Sequence, residues 1–138
     1  MDIHRAGSRP TGRANLAYFT GTVWQDPIIE SPPPARAVAL RVAFEPGART
    51  NWHTHPFGQT IHVLSGVGRA QVWGGPVREI RPGDTVWFAA GEKHWHGAAP
   101  DSQMVHLAIQ EALDGRTADW LEPVSEADYD GRPQDGVD

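Results

Sequence analysis

Two histidines separated by one residue stand in a segment whose composition favours a β-strand. His53 and His55 flank Thr54, and β-branched and aromatic residues lie close by. Side chains two residues apart leave the same face of a strand, so both imidazoles would point to one place, as metal ligands do. After a short turn containing proline and glycine, the next strand is predicted to open with Gln59, whose amide oxygen could supply a third ligand.

The same alternation recurs in the second half of the chain. His94 and His96 flank Trp95, so one of them could complete the ligand set and the other could act as a base beside it. From the residues alone, the hypothesis is a site with four ligands and one spare histidine.

Composition limits the class of protein and the chemistry of such a site. The 138 residues suit one domain, which we expect to span residues 1–129, with a disordered tail over 130–138. The chain has no cysteine, so any metal would be held by nitrogen and oxygen. A net charge of −5 with scattered arginines gives no footprint for nucleic acid, and no apolar run is long enough for a signal peptide or a membrane span. We expect a cytoplasmic protein with a small-molecule partner, binding neither nucleic acid nor membrane.

Fifteen glycines and twelve prolines divide the chain into short runs rich in Val, Thr, Trp and Phe. This pattern predicts an all-β sandwich or barrel made of many short strands. A strand over residues 18–24 is predicted to end at Asp26-Pro27, because proline cannot donate to a ladder. Residues 66–68 are predicted to be a hairpin turn, residues 85–88 a buried strand, and residues 125–128 a helix start.

Two predicted strands would form walls of a cavity around the histidines. In the strand over residues 37–44, Arg41 should face solvent, which turns the alternate residues inward. Ile61 would share the face of Gln59 in the strand that Gln59 opens. The side chains expected inside are Leu40, Val42 and Phe44 from the first wall, and His106, Ala108 and Gln110 from the strand over residues 103–110.

The spacing of these residues resembles the two motifs of the cupins. The first motif reads Gly47, five residues, His53-x-His55, three residues, Gln59, six residues, Gly66, with glutamine in place of the usual glutamate. The second reads Gly83, five residues, Ala89, one residue, Gly91, two residues, His94, with alanine at positions 89 and 98 in place of the usual proline and asparagine. Residues 44–50, 53–60, 91–98 and 106–111 look more specifically like the small bacterial cupins described as manganese-dependent hydroxynitrile lyases. This likeness extends from about residue 3 to residue 129.

That resemblance implies a single-domain cupin, a jelly-roll barrel also called a double-stranded β-helix, and a homo-oligomer, either dimer or tetramer. It implies one divalent metal ion, manganese before iron, nickel or zinc, with four protein ligands: His53, His55, Gln59 and His94. The catalytic groups beside the metal would be His96, His106, Thr50 and Gln110. The substrate pocket would be shaped by Leu40, Val42, Phe44, Ile61 and Ala108. Leu40 is larger than its counterpart in these relatives, which argues against bulky aromatic substrates.

The implied reaction is reversible cleavage of a cyanohydrin, such as mandelonitrile, to an aldehyde or ketone and cyanide. Neutral Gln59 would leave the metal its full positive charge, which suits a Lewis acid that stabilises departing cyanide. A histidine near the metal but not bound to it would be neutral and could take the hydroxyl proton, and both His96 and His106 qualify. Two alternatives remain open: a cupin dioxygenase or oxidative enzyme that cleaves carbon–carbon bonds, and a non-catalytic cupin that binds a small ligand.

Overall fold

Short strands account for nearly all the regular structure of the chain. The computed structural model describes residues 1–133, which contain thirteen strands and one helical turn. The elements are β1 (Gly12–Arg13), β2 (Phe19–Thr20), β3 (Val23–Glu30), β4 (Ala37–Phe44), β5 (Arg49–Thr50), β6 (His53–Thr54), β7 (Gln59–Gly66), β8 (Gly68–Val72), β9 (Arg78–Ile80), β10 (Thr85–Phe88), β11 (His94–Ala98), β12 (Met104–Glu111), β13 (Asp119–Trp120) and α1 (Glu126–Tyr129).

The strands form two antiparallel sheets that curl around a shared core. Sheet A has the order β1-β3-β4-β12-β7-β10. Sheet B has the order β13-β6-β11-β5-β2, and β8 joins it by pairing with both β11 and β9. Phe44, Ile61 and Phe88 of sheet A pack in one apolar cluster with Ala70 and Ala98 of sheet B. The predicted all-β jelly-roll barrel is confirmed.

The facing predicted for the strand over residues 37–44 is also correct. Arg41 of β4 is exposed and lies 3.6 Å from the Asp26 carboxylate, whereas Val42 and Phe44 are buried. In the ladder between β4 and β12, His106 lies opposite Val42. Since paired residues share a face, these two strands together present one continuous inner wall.

The single strand predicted over residues 18–24 is wrong, because the range is divided between β2 of sheet B and β3 of sheet A, and its predicted end is wrong as well. β3 continues through Pro27 to Glu30, and its ladder with β4 shifts register between Pro27 and Ile29. A bulge of this kind accommodates a residue that has no N–H to donate.

Residues 66–68 do not form the predicted hairpin turn. β7 belongs to sheet A and β8 to sheet B, so the chain crosses between the sheets at this point. Gly66 has φ of +75°, and a Cβ there would lie 1.8 Å from the carbonyl oxygen of Gln103. Its glycine therefore permits a close passage of two backbones rather than a tight turn.

The strand over residues 85–88 is largely exposed rather than buried. β10 is the last strand of sheet A and pairs only with β7 among the described strands. Trp87 is 60% exposed, and Phe88 alone in this strand is buried.

The chain returns from sheet A to sheet B through residues 113–120, which we call the strap. It opens with a tight turn in which Asp114 and Gly115 have φ of +53° and +79°, closed by a bridge between Leu113 and Arg116. It ends at β13, where Trp120 pairs with His53.

The chain after the strap forms the predicted helix start. Ser125 caps α1 by accepting from the Asp128 N–H, and Asp130 ends the helix. The predicted disordered tail over 130–138 lies, from residue 134 onward, outside the described residues. Within residues 1–133 no helix has the length and apolar character needed to cross a membrane.

Candidate active site

A cavity of about 310 Å³ lies between the sheets, with the strap on one side. This volume is at the lower end of the range for small-molecule sites. Sheet A contributes Gln25, Leu40, Val42, Phe44, Gln59, His106, Ala108 and Gln110 to its walls. The remaining lining residues are Phe19, Thr50, His53, His55 and His96, together with Gly115, Arg116, Thr117, Ala118 and Trp120 of the strap.

Three neighbouring histidines, two of which line this cavity, each direct Nδ1 at a backbone carbonyl. The partners are the oxygens of Asn51 for His53 at 2.8 Å, Thr117 for His55 at 2.7 Å and Glu92 for His94 at 2.8 Å. A carbonyl only accepts, so each Nδ1 carries the proton and each Nε2 keeps its lone pair. Metal-binding histidines are typically oriented in this way.

The side chain of Gln59 is held by a chain of amide hydrogen bonds. Gln110 Nε2 donates to the Val38 carbonyl at 3.1 Å, which leaves its Oε1 to accept from Gln59 Nε2, also at 3.1 Å. Gln59 Oε1 is thereby turned toward His94 Nε2, 3.3 Å away. Because the proton of neutral His94 is on Nδ1, two lone pairs face each other across this distance. A cation between them would convert that repulsion into attraction.

His96 lies in the same cluster of side chains. Ring nitrogens of His53, His94 and His96 lie within 4.8 Å of one another, while the rings of His53 and His55 have centroids 4.9 Å apart. His96 bonds in turn to His106, with 3.0 Å between Nδ1 of the first and Nε2 of the second. The backbone N–H of His96 donates to Thr50 Oγ1 at 3.2 Å.

Comparisons with known proteins agree with this architecture. The model of the Cupin domain family matches residues 40–110, a range that contains all four predicted ligands.

The chain is a member of the cupin family.

A protein from Granulicella tundricola named (R)-mandelonitrile lyase is 57% identical over 129 residues, which are 94% of this cupin and 98% of that protein. A cupin-like protein from Thermotoga maritima has a similar structure, with a TM-score of 0.81, 38% identity, and coverage of 94% of this chain and 95% of that one. The polyketide cyclase RemF from Streptomyces resistomycificus shares the fold at 19% identity, with a TM-score of 0.69 and coverage of 94% and 89%.

Burial favours the neutral form of the five histidines in this cluster. Desolvation lowers the pKa of His94 to about 3 and that of His106 to about 4. The pKa values of His53 and His96 lie well below the usual value, first through burial and then through the charges of neighbouring histidines. Burial also lowers the pKa of His55. Neutral imidazole is the form that binds a metal or accepts a proton.

Three buried ring nitrogens lack a hydrogen-bond partner within residues 1–133, namely His55 Nε2, His96 Nε2 and His106 Nδ1. Buried polar atoms without partners are uncommon in folded proteins and carry a desolvation cost. A divalent ion beside His53, His94 and Gln59 would give His55 Nε2 a partner. The residues of this cupin therefore fit a metal with nitrogen and oxygen ligands, a donor set that several first-row metals accept.

Two predicted site residues do not line the cavity. Ile61 lies two residues after the cavity-lining Gln59 in β7 and is fully buried in the apolar core. His94 is also not among the lining residues, and its ring is stacked on that of Phe88 with 3.6 Å between the ring centroids. The other predicted pocket and catalytic residues all reach the cavity.

Sequence reasoning missed the strap, Phe19 and Gln25. The indole of Trp120 lies between Tyr18, at 4.9 Å, and His53, at 4.6 Å between ring centroids. A lone tryptophan in an otherwise charged stretch was the one available signal. The carbonyl of Thr117 left no signal, since every residue type carries one.

Proposed function

We propose that this cupin is a metal-dependent hydroxynitrile lyase that cleaves a cyanohydrin, such as mandelonitrile, to a carbonyl compound and cyanide. The observation that carries the proposal is a hydrogen-bonded pair of buried histidines, His96 and His106, in which a ring nitrogen of His96 lies within 4.8 Å of ring nitrogens of His53 and His94. The 57% identity to a protein named (R)-mandelonitrile lyase supports the choice of reaction.

The proposed cofactor is one divalent ion, manganese before iron, nickel or zinc. Its ligands would be Nε2 of His53, His55 and His94 together with Oε1 of Gln59. When bound, the ion would supply a Lewis acid that stabilises the negative charge of departing cyanide. Because Gln59 is neutral, it would leave the ion its full positive charge. The hydrogen bond from Gln59 Nε2 to Gln110 keeps Gln59 Oε1 directed toward His94 Nε2.

The histidine pair would take the proton of the substrate hydroxyl. In the neutral pair one ring donates to the other, so one of the two unpartnered nitrogens, His96 Nε2 or His106 Nδ1, always presents a lone pair. As the proton leaves, the electrons of the O–H bond form the carbonyl, and those of the C–C bond depart with cyanide. Thr50 accepts a bond from the His96 backbone, so its own hydroxyl proton is free to donate to the substrate oxygen.

The side chain of the substrate would lie between two apolar walls. Leu40 and Val42 line the cavity from sheet A, and Phe19 and Trp120 line it from sheet B. These side chains would exclude water from the reacting carbon, which strengthens electrostatic interactions in the cavity.

We further propose that the protein is a cytoplasmic homo-oligomer, dimer or tetramer. Trp87 and Ile109 are both exposed on the outer face of sheet A, on strands that flank β7. Exposed apolar residues grouped in this way are typical of a subunit interface. Light scattering on the purified protein tests the assembly, and a monomer at micromolar concentration would refute it.

The decisive experiment measures cyanide released from racemic mandelonitrile by manganese-loaded protein at about pH 5 to 6, which lies above the pKa of about 4 of His106. A metal-stripped sample is the control. We expect metal-dependent, enantioselective release. Full activity without metal would refute the proposed role of the metal. No release above background from protein with bound metal would refute the lyase, and oxygen consumption with an organic substrate would then favour the oxidative alternative.

A further inference from the structure

The three candidate histidine ligands are all oriented by backbone carbonyls, but these carbonyls lie at different distances along the chain. His53 and His94 each direct Nδ1 at a carbonyl two residues upstream. His55 directs Nδ1 at the carbonyl of Thr117, which lies 62 residues downstream in the strap. Two of the orientations are therefore local, whereas the third depends on the position of a distant segment.

The same strap forms one side of the cavity. Gly115, Arg116, Thr117 and Ala118 all line it. The strap is fixed at its far end, where Trp120 pairs with His53 and the Leu121 N–H donates to the Trp52 carbonyl. At its near end, the turn at Asp114 and Gly115 relies on two consecutive residues with positive φ. Thr117 lies between these two points, so the position of its carbonyl depends on both ends of the strap.

We propose that the strap is the positioning element for His55, and that the order of the strap and the binding of a metal are coupled. With the Thr117 carbonyl in place, the His55 ring is fixed and Nε2 faces the other ligand atoms. When the strap moves away, Nδ1 loses its acceptor and the ring can rotate, leaving His53, His94 and Gln59. The inference rests on the proposed metal centre and is independent of the lyase reaction.

The coupling must act in both directions. If an ordered strap raises the affinity for a metal, a bound metal raises the stability of the ordered strap by the same factor. The Thr117 carbonyl, in the strap that lines the cavity, is thus the contact through which the strap would influence His55 and the metal.

A pair of glycine variants tests the first direction. Gly115 and Gly83 have φ of +79° and +91°, and a Cβ added at either meets no atom of the described part of the chain within 4 Å. Gly115→Ala therefore strains the turn of the strap, whereas Gly83→Ala strains a turn between β9 and β10 in the same way. Manganese affinity is measured by paramagnetic resonance titration, without substrate. We expect Gly115→Ala to bind manganese roughly tenfold more weakly, the lower end of what losing the partner of a ligand costs. Gly83→Ala should bind it like the parent protein.

Hydrogen exchange of the parent protein tests the other direction and needs no variant. Manganese should slow amide exchange within the strap, including the Arg116 N–H that donates to Leu113. The Asp84 N–H, which donates to Arg81 in the control turn, should exchange at an unchanged rate.

The outcomes separate this inference from the proposed function. Equal manganese affinity of parent and Gly115→Ala, or strap exchange unaffected by bound manganese, overturns the inference and leaves the metal centre intact. A parent protein that binds no divalent metal overturns both. If the strap and the metal are coupled but the protein releases no cyanide, only the proposed lyase reaction is overturned.

Discussion

At the scale of single residues, the pair formed by His96 and His106 is the most specific feature of the site. Both rings are buried, and each has one nitrogen without a partner among residues 1–133. Their lowered pKa values follow from burial, so the pair can accept a proton in mildly acidic solution. Neither residue belongs to the proposed ligand set.

Replacing His106 by alanine should therefore affect turnover without removing the metal. We expect kcat to fall by about 10²- to 10⁴-fold, the usual contribution of a positioned base, with manganese content unchanged. His62→Ala is the matched control, because His62 lies on the outer face of β7 and bonds to Thr85. Steady-state kinetics and metal analysis of both variants check the prediction. Parent-like kcat in His106→Ala would exclude the pair as the base.

Leu40 should limit the size of the substrate. It lies on the apolar wall of a cavity of only about 310 Å³, opposite Ala108 in the ladder with β12. Leu40→Ala would enlarge the cavity, so we expect kcat/KM for cyanohydrins bulkier than mandelonitrile to rise relative to mandelonitrile itself. The change should be about tenfold, in the range expected for a few methylene groups. An unchanged ratio of the two kcat/KM values would mean that the substrate does not contact this wall.

At the scale of elements, β11 is the most constrained strand of the site. It carries His94 and His96 and pairs with β5, β6 and β8. A Cβ at Gly97 would lie 2.5 Å from the Ala48 carbonyl oxygen and 2.6 Å from Arg49 Cα. Backbone on both strands fixes this distance, so a side chain at this position would displace β11.

Gly97→Ala should consequently disturb both stability and metal binding. We expect the free energy of unfolding to fall by about 1–3 kcal/mol, the usual cost of overpacking, and manganese affinity to fall with it. Gly12→Ala in β1 is the control, since a Cβ there lies more than 4 Å from every other described residue apart from its chain neighbours. Urea unfolding and metal titration of both variants provide the measurement. A Gly97→Ala protein with parent stability would show that β5 moves freely.

Sequence patterns predicted those elements whose residues alternate. The two-residue period of β4 and β12 places Leu40, Val42, His106 and Gln110 on the cavity face, as Arg41 had indicated. Glycine and proline were less informative, because they mark a bulge at Pro27 and a crossing between sheets at Gly66 as readily as an end or a hairpin. The strap escaped prediction because its contribution to His55 is a backbone carbonyl.

At the scale of the whole molecule, the buried histidines should make the stability of the metal-free protein depend on pH. Five of them have lowered pKa values, about 3 for His94 and about 4 for His106. Between these values and the ordinary value near 6.5, the unfolded chain binds protons that the folded chain does not. Stability is therefore complete above about pH 6.5 and is lost as the pH falls below it, by up to about 1.4 kcal/mol per pH unit for each group.

Urea unfolding of chelator-treated protein at several pH values between 4.5 and 7.5 measures this dependence. His106→Gln should reduce the change in the free energy of unfolding per pH unit by the contribution of one histidine. Stability that is constant across the range would mean that the five histidines titrate alike in the folded and unfolded chains.

The candidate ligands come from both halves of the barrel. His53 and His94 lie on strands of sheet B, whereas Gln59 opens β7 of sheet A. An ion held by all three would fasten the two sheets together, as a cross-link does, at a point where 35 residues separate Gln59 from His94 along the chain. Opening the barrel would then require the ion to leave first, so the lifetime of the folded state would be governed by the rate of metal release.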